Sequence, residues 1–144
     1  METDEFLKLE NQLCFPLYAA SRLVTKCYQP VLDEMGLTYP QYLVLLVLWE
    51  KDSVNLRVLS GKLQLQSNTL TPLLKRMQEM DLVNRVRSEQ DERSIIISLT
   101  EKGQKLKSGA PEMQNRLANS IGITEEEGKV LHGLLYKLIE NLKA

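Results

Sequence analysis

A thiol and three phenols are the side chains of this sequence whose types and spacing could do redox chemistry. Cys14 falls near the predicted start of a long helix, where the helix dipole favours the thiolate, the form that peroxides oxidise. At about 100° per residue, Tyr18 and Tyr28 lie about 40° to either side of Cys14 and share its face. Tyr28, however, lies about 21 Å further along the axis. We therefore expect Tyr28, with Tyr39, to hydrogen-bond the Cys14 sulfur only across an antiparallel partner helix.

The two thiols also allow a plainer interpretation. A free cysteine is most often a small buried hydrophobic residue. Cys27 lies between Val24 and Val31 on an apolar stripe and is expected to pack rather than to react. It is about 20 Å from Cys14 in a straight helix, beyond the reach of a disulfide within one chain. With two cysteines and one histidine, His132, at no ligand spacing, the sequence predicts no metal site and no cofactor.

A second chemistry, contact with DNA, is indicated by residues 67–102. A short helix with hydroxyl and amide side chains at its start, and two cations further along, is followed by two strands joined by a charged tip. Such a helix can lie in the major groove, where small polar groups and cations reach base edges or phosphates. The helix residues that we expect to contact DNA are Ser67, Asn68, Thr69, Thr71, Lys75 and Arg76.

The hairpin tip, residues 89–93, carries the arginine that we expect to enter the minor groove. This is Arg93, and the Asp91 carboxylate is expected to orient its guanidinium through a charge-assisted pair. Arg85, on the first strand, completes the predicted DNA-binding set. Taken alone, the helix would more often be an ordinary amphipathic one, and Asp91 and Arg93 a solvated surface pair. The order of helix, turn, helix and charged hairpin favours DNA.

Helical periodicity predicts the elements that position these groups. Apolar residues recur at intervals of three and four over residues 6–31, which predicts a first helix that Gly36 ends. Pro16 either kinks this helix or marks a new first turn. Thr38 then caps a second, largely buried helix. The predicted caps of the later helices are Ser53 or Asn55, Ser67, Thr100 and Thr124, the last in a capping box with Glu127.

The predicted fold is mainly α with a small β-hairpin formed by residues 83–88 and 94–99. Its order, α-α-α-α-β-β-α-α, describes a winged helix-turn-helix between two amphipathic ends. We place the DNA-binding region at 53–102 and dimerisation helices at 5–36 and 104–144. Wide apolar faces on a first and a last helix have little else to pack on, and a two-fold dimer would match palindromic DNA.

Bulk composition is that of one domain spanning residues 1–144, since the chain is 43% hydrophobic. The longest apolar run, residues 42–49, is too short to span a bilayer, and the acidic, polar start contains no secretory signal. We therefore expect a cytoplasmic protein without a membrane partner. The net charge is −1, but residues 55–102 hold eight Lys/Arg and six Asp/Glu, which permits a basic face there.

Four stretches carry a resemblance to a known family. They are KLENQLCF (8–15), TYPQYLVLLVLWE (38–50), TLTPLLKRM (69–77) and RSEQDERSIIISLTEKG (87–103). The chain resembles the MarR family of winged-helix repressors, and within it the organic hydroperoxide resistance regulators. Asp91, Glu92 and Arg93 are similar to the motif of the family's wing, and Cys14 with its tyrosines is similar to the peroxide-sensing group of the subfamily.

The resemblance implies a homodimer that represses a peroxide-detoxification gene and is not an enzyme. Organic hydroperoxide would convert Cys14 to the sulfenic acid, and the repressor would leave its double-stranded operator. Some members lock this change with a second cysteine in the C-terminal half of the partner. No cysteine follows Cys27 here, so the resemblance implies the single-sensor type. Its sulfenic acid would be trapped by a low-molecular-weight thiol or oxidised further.

Three other functions compete with this hypothesis. A regulator of the same fold could respond to a phenolic or other apolar ligand, with Cys14 incidental. A thiol peroxidase is disfavoured, because no Arg or His is placed beside Cys14 and no resolving cysteine lies within reach. A winged helix that binds protein instead of DNA would lack the steep salt dependence that several phosphate contacts produce.

Overall fold

A computed structural model describes residues 2–91 and 93–143 of the chain. Over these residues it is a mainly helical fold with one small antiparallel sheet, as the sequence predicts. The helices are α1 (Glu2–Glu5), α2 (Cys14–Met35), α3 (Tyr39–Glu50), α4 (Leu56–Leu63), α5 (Ser67–Glu79), α6 (Glu101–Lys105), α7 (Ala110–Ser120) and α8 (Glu125–Leu142). The strands are β1 (Val54–Asn55), β2 (Val83–Arg87) and β3 (Ile95–Leu99).

The first long helix begins later than the apolar periodicity predicts. The prediction of one continuous helix from Phe6 is wrong, because α2 begins at Cys14 and is preceded by a 3-10 turn, Leu9–Asn11. Pro16 is the third residue of α2, where the missing N–H would have no partner in the helix anyway. Of the two roles considered for Pro16, the new first turn is therefore confirmed, and it places Cys14 at the start of the helix.

Side-chain caps fix the boundaries of most later helices. Thr38 and Gln41 form a capping box before α3, and the Asn55 side chain accepts from the Val58 N–H at 2.8 Å, so Asn55 rather than Ser53 caps α4. The Thr100 hydroxyl caps α6, and a 3-10 turn, Leu106–Gly109, separates α6 from α7. The predicted box of Thr124 and Glu127 precedes α8.

The N-cap of α5 differs from the predicted one, and a left-handed residue after its last turn leads the chain into β2. Ser67 is the first helical residue and not the cap; Gln66 is the N-cap, and its carbonyl accepts from the N–H groups of Thr69 and Leu70 at 3.0 Å. At the other end Asp81 adopts a left-handed conformation (φ 61°). The Leu82 N–H then donates to the Met77 carbonyl at 3.0 Å, which closes the helix and turns the chain into β2.

The sheet has the order β1-β3-β2, and the two wing strands form the predicted hairpin. Val83 pairs with Leu99 and Arg87 with Ile95 at the two ends of the hairpin register. Strand β1 was not predicted, since two residues are too few for a periodic signal; it pairs Val54 with Ile97.

The core lies between α2, α3, α4, α5, α7 and the sheet. Both ends of the chain leave apolar side chains uncovered. No described residue of α8 is buried. The exposed large apolar side chains at the two ends include Phe6, Leu7, Leu9, Leu13, Phe15, Leu17, Val130, Leu131, Leu134 and Leu142. Over the described residues, no helix combines the length and the hydropathy that crossing a bilayer requires.

Candidate DNA interface and thiol site

The polar start of α5 faces solvent beyond a tight turn from α4. Gln64 ends α4 in a left-handed conformation (φ 56°), and the Ser60 hydroxyl donates to the Leu65 carbonyl inside the turn. Leu70, Leu74 and Met77 anchor the opposite face of α5 in the core. Of the predicted DNA-contacting residues of α5, Thr71 is half-buried, and the others are exposed: Ser67, Asn68, Thr69, Lys75 and Arg76.

The wing tip is ordered by hydrogen bonds between backbone and side chain. The Ser88 N–H donates to the Ser94 carbonyl at 2.8 Å, and the Ser94 N–H to the Asp91 carbonyl at 2.9 Å. The Asp91 carboxylate accepts from the backbone N–H of Arg93 at 3.0 Å. This contact differs from the predicted pairing with the Arg93 guanidinium: it fixes the turn and leaves the exposed guanidinium to reach outward. Glu92, the central residue of the wing motif, lies outside the described residues.

Arg85 occupies a different position from the other predicted DNA-binding cations. It lies on β2 opposite Ile97 and is half-buried, because alternate residues of β2 face the core. Its Nε is buried and makes no hydrogen bond to the described residues. Contact with DNA stays a prediction for Arg85, as it does for the exposed residues of α5 and the wing.

Cys14 and Tyr18 lie together on the exposed first turns of α2. Cys14 is the first residue of the helix and its side chain is exposed. One turn further on, Tyr18 is also exposed, and the guanidinium carbon of Arg22 lies 4.7 Å from the centre of its ring. The thiol is thus open to an oxidant or to a partner chain.

Tyr28 and Tyr39 form a second cluster at the far end of α2. Their rings stack at 5.6 Å with an angle of 13° between planes. Burial, with smaller contributions from Tyr39, Tyr42 and Cys27, raises the pKa of Tyr28 to about 12, and burial also raises the pKa of Tyr39. Both phenols therefore keep their protons near neutral pH and can donate a hydrogen bond. Fourteen residues of helix, about 21 Å, separate Tyr28 from Cys14 of its own chain.

Two aromatic residues that the sequence interpretation did not include extend this cluster along α3. The Tyr42 ring lies 6.3 Å from Tyr39, and the Trp49 ring lies 6.0 Å from Tyr42 in an edge-on arrangement. Tyr42 follows Tyr39 by three residues, and Trp49 follows Tyr42 by seven. These spacings place all three rings on one face of the helix, so helical periodicity could have found them. The Trp49 indole N–H donates to the Gly103 carbonyl at 3.0 Å.

The second thiol has the surroundings of a packed residue. Cys27 is half-buried, and its Sγ lies 3.9 Å from the Arg116 carbonyl on α7, to which the thiol donates. Among the described residues, no three or more His, Cys, Asp or Glu side chains cluster as metal ligands.

Comparison with known proteins places this arrangement among DNA-binding regulators. The family model described as transcriptional regulator SarA/Rot matches residues 26–109. Over 141 residues, the chain is 48% identical to the organic hydroperoxide resistance transcriptional regulator of Bacillus subtilis. The match covers 96% of this chain and 94% of that protein.

Solved structures of AbfR, a protein of Staphylococcus epidermidis, match nearly the whole chain. Reduced AbfR bound to DNA is 36% identical, covers 100% of both chains and superposes with a TM-score of 0.79. Disulfide-formed AbfR is 38% identical, covers 96% of this chain and 97% of its own, and superposes with a TM-score of 0.62.

Proposed function

We propose that this chain, which belongs to the SarA/Rot family of DNA-binding transcriptional regulators and has a winged-helix fold of the MarR type, is a homodimeric repressor. It releases palindromic operator DNA when an organic hydroperoxide oxidises Cys14. It acts in the cytoplasm, where the operator lies. The observation that carries the proposal is the exposed Cys14 thiol at the first turn of α2, about 21 Å along the same helix from Tyr28, whose ring stacks on Tyr39 of α3.

The dimer completes the sensor. The N-terminal segment and α8 expose apolar side chains, which a second copy of the chain would bury. An antiparallel pairing of α2 helices brings the Tyr28 and Tyr39 phenols of one protomer to Cys14 of the other. Because both phenols stay protonated, they donate hydrogen bonds to the Cys14 sulfur. The name of the Bacillus subtilis relative and the reduced and disulfide states of AbfR support a redox switch of this kind.

The oxidation chemistry needs a hydroperoxide and a small thiol. The Cys14 thiolate attacks the terminal peroxide oxygen, the O–O bond breaks, and an alcohol leaves with the proton of the medium, which yields a sulfenic acid. Cys27, the second of two cysteines, lies about 20 Å along α2 and donates to the Arg116 carbonyl. We therefore assign the next step to a low-molecular-weight thiol, which forms a mixed disulfide with Cys14 and releases water.

Titration of operator binding with cumene hydroperoxide tests the whole proposal. Fluorescence anisotropy of a labelled duplex is followed while intact-protein mass is measured on the same samples. Binding is expected to fall in proportion to the fraction of chains that gain one oxygen atom, with Cys14 as the modified residue. Release without modification of Cys14, or full modification without release, would contradict the proposal.

Wing contact has its own prediction. Arg93→Ala is expected to weaken operator binding by about 10- to 100-fold and to reduce the slope of log affinity against log salt, because one minor-groove guanidinium is lost. Arg116→Ala is the matched control, since Arg116 lies on α7, pairs with Glu112 at 3.7 Å and is far from the wing in sequence. Equal affinities of the Arg93→Ala and Arg116→Ala proteins would remove the wing from the interface.

A further inference from the structure

Two further aromatic rings of α3, Tyr42 and Trp49, extend the phenol pair toward the base of the wing. Tyr28 stacks on Tyr39, Tyr39 lies against Tyr42, and Tyr42 lies against Trp49, with ring centres 5.6, 6.3 and 6.0 Å apart. The four rings thus run from the second half of α2 to the last turn of α3. Neither the thiol chemistry nor the DNA contacts proposed above use Tyr42 or Trp49.

The far end of this row is bonded to the wing base, which we define as residues 80–82 together with residues 100–103. Trp49 donates its indole N–H to the Gly103 carbonyl at 3.0 Å. The wing base joins the end of α5 to the end of β3. The Thr100 N–H donates to the Leu82 carbonyl at 3.1 Å, and the Thr100 hydroxyl to the Asp81 carbonyl at 2.6 Å.

Close packing makes the wing base respond as a unit. A Cβ placed on Gly103 would lie 2.2 Å from the Leu82 carbonyl oxygen, so the two backbones are in direct contact. Lys102 adds a hydrogen bond from its Nζ to the Met80 carbonyl at 3.0 Å. A displacement of Gly103 must therefore be shared by the residues that follow α5 and by the strand that ends in Leu99, and these set the direction of the helix and the wing.

Tyr42 links the phenol pair to Trp49 within the core, where its side chain is buried. Its hydroxyl is buried as well. Burial raises the pKa of Tyr42, and hydrogen bonding to the Gln114 side chain opposes that rise, so Gln114 is the polar neighbour of the hydroxyl. The ring is thus packed between Tyr39 and Trp49, and a movement of one neighbour must be passed to the other.

We propose that Trp49 is a positioning residue that transmits the state of the Tyr28–Tyr39 pair to the wing base through its indole hydrogen bond to Gly103. This inference rests on the proposed redox function. When the oxidised sulfur of the partner displaces the phenols, Tyr42 and Trp49 shift with them, because rings in contact leave no gap to absorb the movement. The Gly103 hydrogen bond then carries the shift to the wing base, and two wings lose the spacing that the operator requires.

Trp49→Phe separates the transmission of the signal from its detection. This variant keeps an aromatic ring and loses the N–H donor. Operator binding by the reduced protein is expected to stay within about threefold of wild type, while the weakening caused by cumene hydroperoxide shrinks by about fivefold or more. Ser60→Ala is the matched control, because it also removes one side-chain donor to a backbone carbonyl, in the turn between α4 and α5. It is expected to respond to peroxide as wild type does.

The sole tryptophan supplies a second measurement on the unmodified chain. Oxidation of Cys14 is expected to change the emission of Trp49 in parallel with duplex release, and Cys14→Ser is expected to remove that change. The inference would be overturned if the oxidised Trp49→Phe protein released the duplex as readily as wild type does. It would also be overturned if wild type released the duplex while its Trp49 emission stayed constant. Cys14 oxidation is followed by mass in every sample. Failure of wild type itself to release DNA on oxidation would instead overturn the proposed function.

Discussion

Cys14→Ser is expected to bind the operator within about threefold of wild type and to be insensitive to organic hydroperoxide at concentrations that fully release wild type. The side chain is exposed at the first turn of α2, so an oxygen in place of sulfur leaves the core and the wing untouched. A serine hydroxyl is not oxidised by a hydroperoxide, and no sulfenic acid or mixed disulfide can form at that position. The measurement is duplex anisotropy across a peroxide titration.

Cys27→Ser is the matched control for this experiment. It makes the same atomic change at a half-buried thiol that donates to the Arg116 carbonyl. A hydroxyl can keep that hydrogen bond, and release by peroxide is expected to persist. If Cys14→Ser is still released by peroxide while Cys27→Ser is not, the sensor is Cys27. If neither variant loses its response, the protein would instead be a regulator of the same fold that responds to an apolar or phenolic ligand, with Cys14 incidental.

The elements of the fold were predictable wherever a local signal decides the structure. Thr38 with Gln41, and Thr124 with Glu127, have the spacing at which hydroxyl and carboxamide or carboxylate side chains cap each other's backbone groups. The hairpin is similarly local, since apolar strands flank a polar tip of few residues. Such signals depend on neighbours three or four residues away, and the chain satisfies them with or without tertiary contacts.

The errors arose where two local solutions compete. Apolar spacing continues through residues 6–13 whether or not they are helical, so periodicity alone extended α2 too far; Pro16 decides, because it fits best in a first turn. Ser67 and Gln66 are a similar case. A serine before an apolar helix is the usual cap, but here the backbone of Gln66 already supplies the carbonyl that accepts from Thr69 and Leu70.

The candidate site was only half predictable for a different reason. Angular arithmetic along one helix placed Cys14, Tyr18 and Tyr28 on one face, but it contains no information about which residues from α3 pack beside them. The stacking of Tyr28 on Tyr39 was anticipated only as a shared contact with sulfur, and the continuation through Tyr42 to Trp49 depends on how α3 crosses α2. Contacts between elements of this kind are set by packing, which a single sequence does not display.

Gly103→Ala has the largest expected effect on stability. A Cβ at this position would lie 2.2 Å from the Leu82 carbonyl oxygen, 3.2 Å from the Leu82 carbonyl carbon and 3.2 Å from a methyl carbon of Leu99. The first contact is with backbone, which cannot rotate away as a flexible side chain can. Relief of the clash must break the hydrogen bond from the Thr100 N–H to the Leu82 carbonyl or displace the Trp49 indole from Gly103. The free energy of unfolding is therefore expected to fall by about 2 kcal/mol or more.

Urea denaturation followed by circular dichroism measures this change, and Gly61→Ala is its matched control. Gly61 lies inside α4, and a Cβ there would meet nothing within 4 Å. The same added methyl group should raise stability by about 0.5 to 1 kcal/mol, since alanine restricts the unfolded chain and favours helix. A lower free energy of unfolding for Gly103→Ala and a higher one for Gly61→Ala would establish why position 103 requires glycine. The reason would be the lack of space for a Cβ and not the conformational freedom of the backbone. Equal midpoints would mean that the wing base yields easily, and a yielding wing base could not transmit a displacement from Trp49 to the wing.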